Sequence, residues 1–432
     1  MHHIYINFRN VFLTVTGGVL LLAQATVYGK DLSPGRAESV GMSTERLARI
    51  TELSQRYVDE GKLAGVLTMV ARNGKIVHFE AVGHRGVDDS RPLEKDALFR
   101  IYSMSKPITA VAAMILYEEG KFQLRDPVSK FLPELKEMEV IKDGEAVPLG
   151  KSITMQQLLS HTAGFSYGFT RGNPVDIAYQ DQKVFEAVDL NAFVKTISAI
   201  PLLYEPGTRW HYSIAVDLTG AVIERISGQR FDRFLAERIF EPLGMTDTFF
   251  DIPDEKMTRF LPNHGWDREN EKLIPFVEQG YPLYQDTTFF SGGGGLVSTA
   301  MDYLRFAEML RQGGELDGQR LLSPKTVQYM TTDHLPAAIA ATGSGEQPGI
   351  SSFAPGLGFG LGFGVVKDTV AAGVIGSPGE YSWGGAAGTI FWVDPVEEMV
   401  VVGMIQQMGS PWPLRAELKV LANQALIELQ GD

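Results

Sequence analysis

Hydrophobic positions along this chain change period more than once, and each change predicts an element. Residues 43–61 set Leu47, Ile50, Leu53 and Tyr57 at helical spacing, the pattern of an amphipathic helix. Residues 66–71 and 75–82 are strand-like runs flanking Asn73-Gly74. Both turn residues tolerate positive φ, so the pair predicts a tight hairpin. After Lys106, Pro107 opens an apolar run that Gly120 closes, as expected of a helix. The middle third is predicted to be largely helical. Thr154 and Gln157 have capping-box spacing, residues 190–200 and 214–226 are periodic, and Gly228 stands where a C-terminal cap belongs. Thr299-x-x-Asp302 starts a further helix that stops before Gly313-Gly314, and Ser323-Pro324 starts the next. Towards the end the period falls to that of strands, at 363–366, 388–393 and 399–405, before a closing amphipathic helix over 413–430.

Strands at both ends with helices between them predict an α/β (α+β) fold. Its antiparallel sheet is built from the two chain ends, flanked by helices, and carries a mostly helical insertion. The expected division is a discontinuous sheet domain over 31–105 and 292–432, with a mostly helical domain over 106–291. The Gly-, Ser-, Pro- and Ala-rich stretch 335–358 is expected to be a long loop serving as rim or lid. There is no internal repeat.

Composition narrows the function. The chain has 432 residues, 44% of them hydrophobic and 21% charged, which suits one large or two medium globular domains. A formal net charge of −13 argues against nucleic acid or an anionic membrane surface as partner. With no cysteine, disulfides, thiolate catalysis and cysteine-ligated metals are excluded. The 8 histidines are scattered without a His-x-x-x-His pair, so no metal and no cofactor are expected. Arg9, an apolar run over 11–22 and the small residues around Ala23-Gln24-Ala25 read as a secretory signal peptide over 1–25. Its apolar core is short of the roughly 20 residues that span a bilayer. The expectation is an exported protein, periplasmic or secreted, without a stable membrane anchor. Oligomeric state is not legible.

Three short segments carry candidate chemistry. Ser103-Met104-Ser105-Lys106 precedes the apolar run of the predicted helix. Positions i and i+3 share a helix face, so the Lys106 amine can meet the Ser103 hydroxyl and supply the base that a serine nucleophile needs. The spacing alone is weak evidence, since about one such match arises by chance in a chain this long. Tyr212-Ser213 comes second, following Trp210-His211. A phenol is a poor base unless an ammonium beside it favours the phenolate. Tyr381-Ser382-Trp383-Gly384-Gly385-Ala386-Ala387-Gly388 comes third, at the head of a predicted strand. Its small residues let an acyl group lie against a strand edge, with a backbone N–H facing the oxyanion.

In this order and spacing the three segments resemble the serine β-lactamase and penicillin-binding protein superfamily, and within it class C β-lactamase-like hydrolases and family VIII carboxylesterases. The likeness extends over nearly the whole mature chain, through LLSHTAGF at 158–165, GGGGLVSTAMDYLRFAEML at 292–310 and WGGAAGTIFWVDP at 383–395. The resemblance implies a β-lactamase-like fold, Ser103 as nucleophile and Lys106 with Tyr212 as proton-transfer pair. It also implies an oxyanion hole from the N–H groups of Ser103 and Ala386, and Trp383, Gly384 and Gly385 as the opposite substrate wall. Which of Lys106 and Tyr212 is the acylation base stays open. Two departures matter. Ile214 stands where the β-lactamase pattern has Asn, and Trp383-Gly384-Gly385 stands where it has a cation followed by Thr/Ser-Gly. An indole cannot pair with a substrate carboxylate, and the lost charge-assisted bond costs on the order of 1.5–3 kcal/mol. The expected substrate is therefore a small neutral ester ahead of a β-lactam. β-Lactam or D-Ala-D-Ala peptide cleavage, non-hydrolytic binding of penicillin or cell-wall peptide, and acyl transfer are the alternatives.

Gly164-Phe165-Ser166-Tyr167-Gly168 also matches the nucleophile elbow Gly-x-Ser-x-Gly. An elbow needs a strand before it and a helix after it, whereas here a capped helix precedes and a polar loop follows. His161 beside it is expected to hydrogen-bond a loop carbonyl rather than act as a base. Phe165, Tyr167, Phe169, Tyr281, Tyr284, Phe289 and Phe290 are weighed as acyl-pocket lining and assigned to plain core.

Overall fold

Asn73 and Gly74 take φ of 51° and 71°, and the chain reverses there as the Asn-Gly pair dictates. A computed structural model describes residues 32–170, 172–277, 284–342 and 355–430. The signal segment expected at 1–25, Tyr281 and positions 343–354 of the expected loop lie outside the described residues.

The hairpin belongs to a sheet of β1 (Ser33–Pro34), β2 (Gly65–Arg72), β3 (Lys75–Gly86), β4 (Asp89–Pro92), β5 (Leu357–Phe359), β6 (Gly364–Val366), β7 (Tyr381–Gly384), β8 (Ile390–Asp394) and β9 (Met399–Met404). Their order is β1-β3-β2-β9-β8-β7-β6-β5, with β4 against β3. Only the short β1 pairs in parallel. The central seam joins the two chain ends, from Met399 opposite Arg72 to Met404 opposite Leu67.

Helices cover both faces. Helices α1 (Thr44–Asp59) and α5 (Leu414–Gln424) lie on one face and α4 (Ala300–Arg311) on the other, while α2 (Ser105–Glu118) and α3 (Ala215–Ser227) pack against each other. Alternate strand residues face opposite ways. Val70, Met399 and Val401 pack with Leu47 and Ile50 of α1 and with Leu418 and Ala422 of α5. Met69, Val400, Val402 and Phe391 enter the main core, where the Phe391 ring meets Tyr303 of α4 at 4.9 Å. Burial on both faces is why β9 reads as an unbroken apolar run. Among the described residues no helix is long and apolar enough to cross a membrane.

Three expectations need correction. Hairpins at Glu139–Lys142 with Glu145–Pro148, and at His264–Asp267 with Lys272–Pro275, interrupt the middle third. The stretch 335–358 is not loop throughout: a short helix, Ala337–Thr342, and strand β5 fall within it. The closing helix ends at Gln424. Past that point Ala425 and Leu426 still pack with α1, and the chain returns to Gly41, whose carbonyl accepts the N–H groups of Ile427 and Glu428.

One buried cation ties these ends together. Arg72, 1% exposed, ends β2. Its guanidinium donates to Glu397 Oε2 at 2.7 Å and to Glu397 O at 3.0 Å. It also reaches Val40 O, Gly41 O and Glu428 O at 2.8–3.0 Å. A buried ion pair broken on one side leaves the other charge uncompensated. Glu397→Ala is expected to destabilise the fold by about 3 kcal/mol, read as a lower urea midpoint with an unchanged slope. A loss below about 0.5 kcal/mol would show that the carbonyls suffice.

Candidate active site

Strand Phe99–Arg100 pairs with Val297–Ser298, and the chain then bends sharply. Tyr102 takes φ 44°, a left-handed conformation costing about 1–2 kcal/mol outside glycine. Its hydroxyl accepts a hydrogen bond from Asn263 Nδ2 at 2.8 Å. The bend starts a 3-10 turn, Tyr102–Met104, that runs straight into α2. Ser103 is left part-exposed at the helix entrance while Lys106, one turn on, is completely buried. Ser105 and Thr109 fix α2 to the glycine-rich segment before α4: Ser105 Oγ accepts from Leu296 N at 3.2 Å, and Thr109 Oγ1 donates to Gly292 O at 2.8 Å.

The Lys106 amine contacts Ser103 Oγ at 3.2 Å, Tyr167 OH at 2.7 Å and Gly293 O at 2.6 Å. An ammonium has three donors, and all three are aimed at oxygen. The faces of Tyr212 and Tyr167 lie 4.5 and 5.1 Å from the nitrogen, within range of cation–π attraction. The sequence placed Ser103, Lys106 and Tyr212 together, and the structure brings them together. It adds that the phenol hydrogen-bonded to the amine is Tyr167, whereas Tyr212 presents its ring.

Tyr212 OH accepts the indole N–H of Trp383 at 3.4 Å, and their rings are 5.4 Å apart. Trp383 projects from β7, braced by Phe359 at 5.2 Å, so an aromatic wall faces the serine. The turn after β7 closes on itself, with Gly385 N donating to Thr389 O at 2.8 Å. It presses on the residues just before the serine: a Cβ on Gly385 would come within 2.5 Å of Ile101 O. Ala386 at its tip is exposed, and among the described residues its N–H donates to no protein acceptor. Ile214 is fully buried in the main core, so that position offers the cleft no polar group.

Behind the amine lies Asp217, on the first turn of α3 and completely buried. Its Oδ1 accepts from Ser291 Oγ at 2.5 Å and Gly293 N at 3.0 Å. Burial pushes its carboxyl above the ordinary range, opposed by the Lys106 cation. Gly293 thus takes the Lys106 amine on its carbonyl while giving its N–H to Asp217. A Cβ there would collide with Asp217 Oδ2 and sit 2.9 Å from Tyr167 OH, so only glycine fits.

The remaining candidates separate cleanly. Ser166, 1% exposed, gives its hydroxyl to the buried Asp176, and Asp176 also takes Thr170 N at 2.8 Å. Among the described residues the His161 ring makes no carbonyl bond of the expected kind; its Nδ1 accepts Ser213 N at 3.2 Å, and its ring backs Tyr212 at 4.8 Å. Burial, aided by the Lys106 charge, holds this imidazole well below its usual pKa, hence neutral. Phe165, Tyr284, Phe289 and Phe290 are core. Tyr167 is not: Phe169, 59% exposed, stacks on it at 5.0 Å and 3°, and Phe185 stacks at 5.9 Å.

The pattern of the beta-lactamase family matches residues 50–426. The chain belongs to the beta-lactamase family. It is 37% identical to the Mycobacterium tuberculosis protein Rv1367c over 384 residues, covering 86% of this chain and 92% of that one. It is 29% identical to the esterase EstB of Burkholderia gladioli, over 80% of this chain and 87% of EstB. Among solved structures, EstCE1, described as a hydrolase with promiscuous acyltransferase activity, superposes with a TM-score of 0.74 at 27% identity, covering 89% of this chain and 99% of EstCE1. The family's fold is the one observed.

Sequence reasoning missed Tyr167, Asp217 and Gly293 as parts of this centre. All three fall within segments the sequence singled out, but Tyr167 was weighed as acyl-pocket lining and assigned to plain core, and Asp217 and Gly293 were given no role. Tyr167→Phe keeps the ring and removes the hydroxyl that the amine contacts at 2.7 Å. A hydrogen bond to a charged group contributes about 1.5–3 kcal/mol, so ester turnover is expected to fall roughly ten- to a hundredfold, with KM within about twofold. Steady-state kinetics check this, and an unchanged kcat would make Tyr167 a packing residue.

Proposed function

We propose that this chain hydrolyses small neutral carboxylic esters through an acyl intermediate on Ser103. At the coarser level, its esterase relatives make it a serine hydrolase of the β-lactamase-like esterase kind. The observation carrying the finer reading is the three-way contact of Lys106 with Ser103, Tyr167 and Gly293. In its neutral form the amine has two N–H groups for Tyr167 OH and Gly293 O, and its lone pair is left for the Ser103 hydroxyl. That is a base positioned for its nucleophile. On attack, Ser103 Oγ bonds to the carbonyl carbon and its proton passes to Lys106. The oxyanion is received by the N–H groups of Ser103 and Ala386. The ester C–O bond then breaks, and the leaving alkoxide takes the proton back, directly or through a phenol of Tyr167 or Tyr212. Water repeats the sequence on the acyl-serine and restores the enzyme.

Substrate preference is inferred from the wall. Trp383 and Tyr212, with buried Phe359 bracing the indole, present aromatic surface, and buried Ile214 offers no amide, so a neutral ester meets no unpaired charge. A β-lactam carboxylate would lose its counter-ion there. The signal-like start, with Arg9 and the apolar run 11–22, supports export to the periplasm or medium. Transfer of the acyl group to an alcohol is a second reading, favoured by the transferase activity ascribed to EstCE1.

Purified protein is expected to turn over p-nitrophenyl butyrate at least a hundredfold more efficiently than nitrocefin. Ser103→Ala is expected to abolish hydrolysis while Ser166→Ala keeps most of it. A preference for nitrocefin would reverse the substrate assignment, and activity surviving in Ser103→Ala would remove the nucleophile.

A further inference from the structure

The turn carrying the Ala386 N–H is gripped from the far side of the sheet. On β7 the Trp383 ring faces Tyr212, so Gly384 faces the opposite side, where α5 lies. There a Cβ on Gly384 would sit 2.9 Å from the Arg415 guanidinium carbon. Arg415 is on the first turn of α5, with Leu414 and Leu418 on either side of it buried. The residue as a whole is exposed, but one nitrogen, Nη2, donates to both Gly385 O and Thr389 O, the latter at 2.9 Å, in part-buried bonds. Among the described residues it makes no ion pair. The cation is committed to two carbonyls at the two ends of one turn.

Those carbonyls are not equivalent to others nearby. Gly385 C=O and Ala386 N–H are the two halves of a single peptide group. Hydrogen bonding at a peptide oxygen draws electron density off its nitrogen and strengthens the N–H as a donor, by about 10–30% per bond. The same oxygen also accepts Gly388 N at 3.1 Å, so it is polarised twice. Thr389 O, the second anchor, is the acceptor that closes the turn through Gly385 N. Thr389 Oγ1 reaches Ile101 O at 3.4 Å, which ties the turn to the segment leading into Ser103.

We propose that Arg415 is a positioning residue for the oxyanion hole: from the outer face of the sheet it clamps both ends of the turn and both aims and polarises the Ala386 N–H. This rests on Ser103 as nucleophile and Ala386 as oxyanion donor, as proposed above. Arg415 lies across the sheet from the aromatic wall, so it acts through the peptide. Its effect belongs to the transition state, where the carbonyl oxygen gains charge, and not to ground-state binding.

The test uses Arg415→Met, Arg415→Lys and Arg415→Ala in the full-length protein with p-nitrophenyl butyrate. Arg415→Met is expected to lower kcat ten- to a hundredfold with KM within twofold. Arg415→Lys, which keeps the charge but not the planar fork, is expected to fall between Met and wild type. Added ethylguanidinium is expected to restore at least part of kcat in Arg415→Ala and to leave wild type unchanged. A kcat within twofold of wild type in Arg415→Met, or a folded Arg415→Ala that ethylguanidinium does not revive, would overturn the inference. Labelling of wild type by a fluorophosphonate, located by mass spectrometry, separates the two readings. Label absent from Ser103 would sink the nucleophile assignment, whereas label on Ser103 with an unaffected Arg415→Met sinks the clamp alone.

Discussion

A fully buried amine is the constraint around which this molecule is arranged. A charge taken out of water is tolerated only when its donors are met, and Lys106 meets them from three separate stretches of chain. Each contact imposes a demand of its own. The contact to Ser103 requires the unfavourable backbone of Tyr102 to join strand to helix within a residue. The contact to Tyr167 requires the loop after the capped helix to be held, which Ser166 and Asp176 do from inside. The contact to Gly293 requires a residue without a side chain, because Asp217 occupies the space behind it. Helices α2 and α3 and the glycine segment are therefore not independently variable.

The opposite wall follows the contrary logic. Where a cation would recognise a carboxylate, an indole is packed edge to face on a phenyl ring and tilted against a phenol. Such surfaces discriminate by shape and by desolvation, and they exclude charge more strongly than they attract any particular ester. Phe169 extends this surface to the exterior through its parallel stack on Tyr167, so the apolar face runs from solvent to the amine.

Local chemistry was legible in the sequence; long-range chemistry was not. Asn73-Gly74, the Thr154–Gln157 capping box and the Gly228 cap act within a few residues, and the structure has all three. Ser103 and Lys106 were legible for the same reason, being one helical turn apart. Tyr167 was not, because its partner is 61 residues away and its neighbours imitate a motif from an unrelated fold. Asp217 looked like one more polar position in a periodic helix, and only the approach of Gly293 gives it a role. The hairpins of the middle third are short and half-exposed, so their alternation is lost among helical patterns. Strand β5 was hidden because Gly358 and its neighbours suit a loop equally well by composition.

The sheet's central seam has a consequence for synthesis. Strand β2 leaves the ribosome long before its inner neighbour β9 has been made. Until then the N-terminal hairpin has an unpaired apolar edge, and closure awaits a loop of more than three hundred residues. Closing the sheet is thus a long-range step, which makes the chain slow to commit and dependent on being kept from aggregating meanwhile. Any partner that holds the hairpin's open edge until β9 arrives would therefore govern the yield of folded protein.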